Sequence, residues 1–320
     1  MKAIRVEKHG GPEVLQLQDV PDPTPGPGHV LLRVHAAGVN PVETYVRAGQ
    51  HGYSAQLPYT PGGDAAGVIE AVGPDVSGVV VGDRVFTSRA FTGAYAEKAL
   101  ANATEVYPLP EHVSFAAGAA LGVPWATAYR GLFQRARILP AETLLVHGAS
   151  GGVGSAAVQL ARAAGVTVFG TGGTEEGRRK VAELGAHHVF DHGSPDYLTK
   201  IRELTGGRGV DVIIELLANV NLVKDFDALA RYGRIVVIGS RGAIEFEPRL
   251  AMRIDATILG MSLVNASADD LRRAYVAIGA GLENGSLRPL VGKQFPLADA
   301  SRAHEAVMDA GSVGKIVLAG

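Results

Sequence analysis

Thr143-Leu144-Leu145-Val146-His147-Gly148-Ala149-Ser150-Gly151-Gly152-Val153-Gly154 is the stretch that decides the fold. Its first half is a short apolar run that reads as a buried strand, and its second half is a glycine-rich turn. The helix that follows carries Val153, Ala156, Ala157, Leu160, Ala161 and Ala164 at spacings of three and four, which is one apolar face. Val166 to Gly170, His188 to Phe190, Val210 to Glu215 and Arg234 to Gly239 are further buried strands separated by helical stretches. Strands alternating with helices imply right-handed βαβ units on a parallel sheet. Thr257 to Leu263 is one more apolar strand, expected at the sheet edge, and Asp269 to Leu282 is an amphipathic helix with Gly285 beyond its end.

On the N-terminal side the pattern is different. Met1 to Val6 reads as an immediate strand without the apolar core of a signal peptide. Val14 to Gln18 alternates as a half-buried strand should, and the proline-rich run Val20 to Gly28 must be an extended surface connection. Val30 to Ala37, Gly67 to Val72, Asp83 to Thr87 and Ala94 to Ala99 are short strands between glycine-rich turns, which suggests a small, irregular β-barrel. Ile316 to Leu318 closes the chain as a strand expected to pack back on this first domain.

Composition narrows the function classes. The chain has 320 residues, 47% hydrophobic and 19% charged, which suits about two folded domains and excludes a disordered chain. It has no cysteine, so disulfides, thiolate zinc sites, iron–sulfur clusters and cysteine nucleophiles are excluded together. A net charge of −2 gives no global attraction to nucleic acid or anionic membrane. No apolar run reaches the ~18–20 residues that a membrane span needs. The expectation is a soluble, cytoplasmic protein.

The glycine-rich turn carries the chemistry. A strict G-x-G-x-x-G would have glycine where Ala149 stands, but the spacing survives as Ala149-x-Gly151-x-x-Gly154 between a strand and a helix. Gly151 would let a pyrophosphate approach the backbone, Gly154 would let helix pack on strand, and the helix N-terminus offers free N–H groups. The alternative is a tight structural turn. An NAD site wants an acid ~20 residues on, at the end of the second strand, to hold the ribose 2′-OH. Phe169-Gly170-Thr171-Gly172-Gly173-Thr174 has none; Glu175 and Glu176 belong to the first turn of the next helix, and Arg178, Arg179 and Lys180 follow. This favours the 2′-phosphate of NADPH, with a solvated cationic helix face as the alternative.

Gly38-Val39-Asn40-Pro41-Val42-Glu43-Thr44-Tyr45, Leu57 to Gly62, His147 to Gly154, Gly170-Thr171 and Leu217 to Leu222 together resemble the zeta-crystallin family of NADPH:quinone reductases, in the zinc-free branch of the medium-chain dehydrogenase/reductase superfamily. The similarity runs from Met1 to Leu318. It implies an α/β protein with a Rossmann doubly wound parallel sheet inserted in a GroES-like β-barrel catalytic domain. The expected boundaries are 1–122 for the first part of the catalytic domain, 123–262 for the NADPH-binding domain, and 263–320 for the return.

The resemblance also implies the site. Asn40 and Tyr45 would lie beside the nicotinamide with Thr127, which opens a helix-like stretch; Tyr45 could instead be a structural aromatic. Ser150, Gly151, Gly152, Val153 and Gly154 would meet the pyrophosphate. Gly173, Thr174, Arg178, Arg179 and His192 would meet the adenosine half, and Asn219, Ser240 and Arg241 the far side of the cleft. Two departures from the family stand out. His51 occupies the place of a tyrosine, leaving Tyr53 to reach the substrate, and Lys315 stands near the place of a phosphate-binding arginine.

Zinc members of the superfamily bind metal with a cysteine where Asn40 stands and a histidine where Gly63 stands, beside a glutamate at Asp64. Since catalytic zinc usually needs three protein ligands, the reading is metal-free. His187, His188, Asp191 and His192 are read as a surface cluster. The resemblance thus implies metal-independent hydride transfer from NADPH to a quinone, in a homodimer paired through the Thr257–Leu263 edge. The alternatives are an NADPH-dependent enoyl or alkenal reductase, and, in another class, AU-rich RNA binding or a structural crystallin role. The RNA reading finds no basic stripe or aromatic RNA-binding motif to support it.

Overall fold

The computed structural model describes residues 1–319. β1 (Lys2–Arg5) and β2 (Gln16–Asp19) form a separate antiparallel pair with Lys2 opposite Asp19. After the proline-rich connection come β3 (His29–Gly38), α1 (Pro41–Ala48), β4 (Ala65–Val72), β5 (Arg84–Thr87), β6 (Lys98–Asn102), β7 (Val106–Pro108) and α2 (Phe115–Ala119). β3 pairs antiparallel with β4 along one edge and with β6 along part of the other. Two expected strands begin late. Pro12 starts a 3₁₀ turn over Pro12–Val14, so the strand expected from Val14 begins at Gln16. Ala94 to Glu97 makes only an isolated bridge, Ala96 to Ala3, and the strand runs from Lys98.

α3 (Gly122–Tyr129) leads to β8 (Thr143–Val146), α4 (Gly152–Ala163), β9 (Thr167–Gly172), α5 (Glu175–Glu183), β10 (His188–Asp191), α6 (Tyr197–Leu204), β11 (Val210–Glu215), α7 (Ala218–Asp225), β12 (Leu229–Val237), α8 (Arg249–Met252) and β13 (Thr257–Gly260). Thr127 therefore lies near the end of its helix rather than at its opening. The strands form one parallel sheet in the order β10-β9-β8-β11-β12-β13, which reverses direction beside β8. That reversal is the doubly wound topology, in which ligands bind at the carboxyl ends of the strands. Leu145, Ile213 and Ile235 are fully buried in it; each such side chain contributes about 1.5–3 kcal/mol. The edge strand is shorter than expected: it stops at Gly260, and Leu263–Asn265 is a 3₁₀ turn.

α9 (Ala268–Glu283), β14 (Val291–Phe295), α10 (Ala300–Ala306) and β15 (Lys315–Ala319) complete the chain. β15 pairs antiparallel with β3 and parallel with β14, giving a seven-stranded sheet whose path is β14-β15-β3-β4-β5-β7, with β6 on β3. The chain divides into two compact units, Met1–Val123 with the segment from Tyr275 on (unit 1), and Pro124–Ala274 (unit 2). The return to unit 1 thus starts inside α9, whereas the sequence reading put it at 263.

Candidate functional site

In unit 2 the turn after β8 is built by close approach. A Cβ at Gly154 would lie 2.3 Å from the Gly148 carbonyl oxygen, so only glycine lets α4 start here. Ala149 replaces the fingerprint glycine because β9 yields space: a Cβ at Gly170 would lie 3.1 Å from the Ala149 methyl. The alanine is fully buried and its N–H donates to the Thr171 carbonyl at 2.8 Å. No side chain caps α4, whose N-cap is Gly151 and whose first turn holds no acid. The N–H groups that open this helix, from Gly152 and Val153 on, suit an anion, and the helix dipole favours one.

The ends of β9 and β10 converge beside this turn. Thr174 caps α5, its hydroxyl accepting from the Gly177 N–H at 3.1 Å. Gly177 allows α5 to approach Ser150, since a Cβ there would lie 3.1 Å from both the Ser150 Cβ and its hydroxyl. Arg178 folds back over the strand ends, donating to the Gly172 carbonyl at 3.2 Å and pairing with Asp191 at 2.9 Å. Arg179 turns the other way, to Glu183 at 2.5 Å, and is 59% exposed. The His192 ring lies against Gly173. Glu175, Glu176, Arg178, Arg179 and Val189 line an open depression of about 650 Å³. The expected histidine cluster disperses: His187 bonds Arg162 and Val168, and His188 stacks on Phe169.

Across the sheet, Asn219 accepts from the Arg241 N–H at 2.8 Å, and the Ser240 hydroxyl donates to the Gly242 carbonyl at 3.0 Å. Below these loops lies a cluster that the sequence reading missed. His147 Nε2 is 2.8 Å from Asp225 and 3.6 Å from Glu215, and all three side chains are buried. Glu215 Oε1 accepts from the Leu217 N–H and from Asn221, while Glu215 Oε2 and Asp225 Oδ2 have no hydrogen-bond partner. Burial pushes the Glu215 carboxyl up to about 7 against the pull of His147. Burial would push His147 down, but Asp225 and Glu215 hold it above its ordinary value. It is a group that could hold a cation, although the site is closed from solvent.

Unit 1 carries a second polar network. Asn40 stands at the N-cap of α1, before Pro41, and its N–H donates to Glu43 at 2.9 Å, half of a capping box. Asn40 Nδ2 donates to Asp64 at 2.9 Å and to Glu43 at 3.2 Å. Its Oδ1 accepts from Lys315, which also pairs with Asp64 at 3.2 Å. Asp64 further accepts from the Val123 N–H at 2.8 Å. Glu43 accepts from the Tyr95 hydroxyl at 2.6 Å, Tyr95 meets His304 at 3.1 Å, and His304 meets Arg47 at 3.2 Å. Burial, then Arg47, holds the His304 imidazole down at about 3, so it stays neutral.

Two of the expected cofactor contacts sit inside this network. Lys315, expected near a cofactor phosphate, is only 4% exposed and already neutralises Asp64. Asn40 is 2% exposed, and both of its amide hydrogens are engaged within the network, which leaves it one lone pair on Oδ1 to offer. Tyr45 and Tyr53 do come together, with ring centroids 6.3 Å apart, and His51 meets the Tyr45 ring edge-on at 5.0 Å. Thr127 is buried on α3. The sequence Asn40-Pro41-Val42-Glu43 was legible as a capping box and would have flagged Glu43; nothing local flagged Tyr95, Asp225 or His304.

Residues 26–148 match the alcohol dehydrogenase GroES-like domain, and residues 152–278 match the zinc-binding dehydrogenase family. A curated relative, quinone oxidoreductase from Homo sapiens, is 50% identical over 320 residues, covering 99% of this chain and 97% of the relative. Among solved structures, an NAD-dependent alcohol dehydrogenase superposes with a TM-score of 0.93 at 29% identity, covering 100% of both chains. Escherichia coli quinone oxidoreductase complexed with NADPH superposes with a TM-score of 0.87 at 30% identity, covering 99% of this chain and 100% of that one.

Proposed function

Because the chain belongs to the quinone oxidoreductase family of the medium-chain dehydrogenase/reductase superfamily, we propose that it is an NADPH:quinone oxidoreductase working without a metal ion. The observation that carries the reading is the uncapped start of α4 next to Arg178 and His192 at the ends of β9 and β10, in a chain half identical to quinone oxidoreductases. NADPH supplies the hydride when bound; the protein supplies orientation and polarity.

The backbone of Gly151, Gly152, Val153 and Gly154, with the Ser150 hydroxyl, would hold the pyrophosphate through N–H groups that need no side chain. Gly173, Thr174, Arg178 and His192 would hold the adenosine end, with Arg178 meeting the 2′-phosphate through charge-assisted hydrogen bonds. Asn219, Ser240, Arg241 and Thr127 would complete the cofactor contacts. Tyr45 and Tyr53 would face the quinone, offering apolar ring surface and hydroxyls that donate to the developing oxyanion. A quinone suits such a site because the accepting ring gains aromaticity, so less electrophilic assistance is needed.

The donors at Asn40 and Asp64 do not suit a divalent cation, since an amide and a carboxylate there already share the Lys315 ammonium. Among the described residues no helix is long and apolar enough to cross a membrane; we place the enzyme in the cytoplasm. The exposed edge of β13, with Ile258 39% exposed, is the surface for a homodimer, since an apolar edge strand favours pairing. The test is NADPH oxidation against a panel of quinones and enones with a strong chelator present. Quinone turnover unchanged by chelation is expected; activity that returns only with added zinc, or enone turnover alone, would overturn the proposal.

A further inference from the structure

At the ribose end of the unit 2 site the cation that would meet a 2′-phosphate is already engaged in an ion pair. Glu175 and Glu176 line this end with Arg178 and Arg179, and Asp191 pairs with Arg178, so three carboxylates stand against two cations. Arg179 and Lys180 both pair with Glu183. That leaves Arg178 as the cation over the strand ends, and its guanidinium is already held by Asp191 at 2.9 Å. Asp191 is anchored in turn: it sits opposite Gly172 in the β9–β10 register, and its other oxygen accepts from the Gly193 N–H at 2.8 Å. It is the side chain just before His192, which covers Gly173.

We propose that Asp191 is a specificity-determining residue that competes with the cofactor's 2′-phosphate for Arg178, and so holds down the preference for a phosphorylated ribose. The inference rests on the NADPH reading above. A carboxylate and a phosphate dianion want the same guanidinium fork, and a like charge beside the phosphate opposes it. An unphosphorylated ribose meets no such rival. The two side chains are 28% and 44% exposed, so solvent screens their interaction and the effect is moderate.

Asp191→Asn removes the charge and keeps an oxygen for the Gly193 N–H. Calorimetric titration of the full chain with 2′,5′-ADP and with AMP reads the effect directly, circular dichroism checking the fold. The variant should bind 2′,5′-ADP roughly 3- to 5-fold more tightly than wild type, with AMP unchanged. In an Arg178→Gln background the same change should gain less, because no guanidinium remains to be released. A wild type that prefers 2′,5′-ADP, with that preference unchanged or reduced by Asp191→Asn, overturns the inference alone. An equal gain with and without Arg178 overturns the competition and leaves mere repulsion. Equal binding of both probes by both proteins overturns the NADPH reading, and the inference with it.

Discussion

In unit 1 the buried Asp64 and the partly buried Glu43 are accompanied by Lys315, with Arg47 joining the network through His304, whereas in unit 2 the buried Glu215 and Asp225 share a single imidazole. The first network uses its polar atoms nearly completely, passing from Arg47 through His304 and Tyr95 to Glu43, and from Asn40 and Asp64 to Lys315. The second leaves one oxygen of each carboxylate without a hydrogen-bond partner. Burial raises a carboxyl in each network, Glu43 in the first and Glu215 in the second; the Lys315 ammonium opposes the rise in the first, the His147 imidazole in the second. The difference is placed meaningfully, because His147 leads directly into the glycine-rich turn and Glu215 into the start of α7 at Leu217 and Ala218.

The largest effect should come from unbalancing unit 1. Lys315→Met strands the Asp64 carboxylate, and losing one partner of a buried pair typically costs about 3–5 kcal/mol. Urea unfolding measures this; a loss below about 1 kcal/mol would mean that the pair is not buried as described.

Next is the titration of unit 2. The Glu215 carboxyl is raised in the folded protein to about 7 from an ordinary value of 4.5, and His147 is raised as well. A raised value means the fold binds the proton more tightly, so this stability is complete below about 4.5 and is lost as pH rises through about 7. Thermal or urea unfolding between pH 5.5 and 8.5 should therefore show a decline on the order of 2–3 kcal/mol from this group, removed in Glu215→Gln. Parallel pH profiles for wild type and variant would sink the contrast between the two clusters.

A smaller effect sharpens the same contrast. Tyr95→Phe removes the hydroxyl between Glu43 and His304 and should destabilise by about 1–3 kcal/mol, since hydrogen bonds to charged groups are worth that much. His304 stays neutral from pH 6 to 8 and adds no slope there; a cost that changes across that window would report the burial-raised Glu43 carboxyl.

Apart from the local Asn40–Glu43 capping box, neither cluster was legible in the sequence, and the reason is separation. Tyr95 and Glu43 are 52 residues apart, His147 and Asp225 78, Lys315 and Asn40 275, and no local period links such pairs. What was legible rests on short-range rules. The βαβ alternation, the turn at 148–154 and the α5 first turn at Glu175 and Glu176 depend on neighbours within a few positions, and all three stand in the structure. The same rules failed where one residue redirected the chain, as Pro12 did before β2. Arg178 and Arg179 are adjacent in sequence, and only the phase of α5 sends one to Gly172 and the other to Glu183.

NADPH is the electron donor to a quinone, and we propose that Arg178 reads its 2′-phosphate. The direct measurement is kcat/KM for NADPH and for NADH with one benzoquinone acceptor, in wild type, Arg178→Gln and Arg179→Gln. Wild type should prefer NADPH, Arg178→Gln should lose about 10-fold with NADPH and little with NADH, and Arg179→Gln should change neither. Equal use of both cofactors by wild type, or equal losses with both in Arg178→Gln, would contradict it.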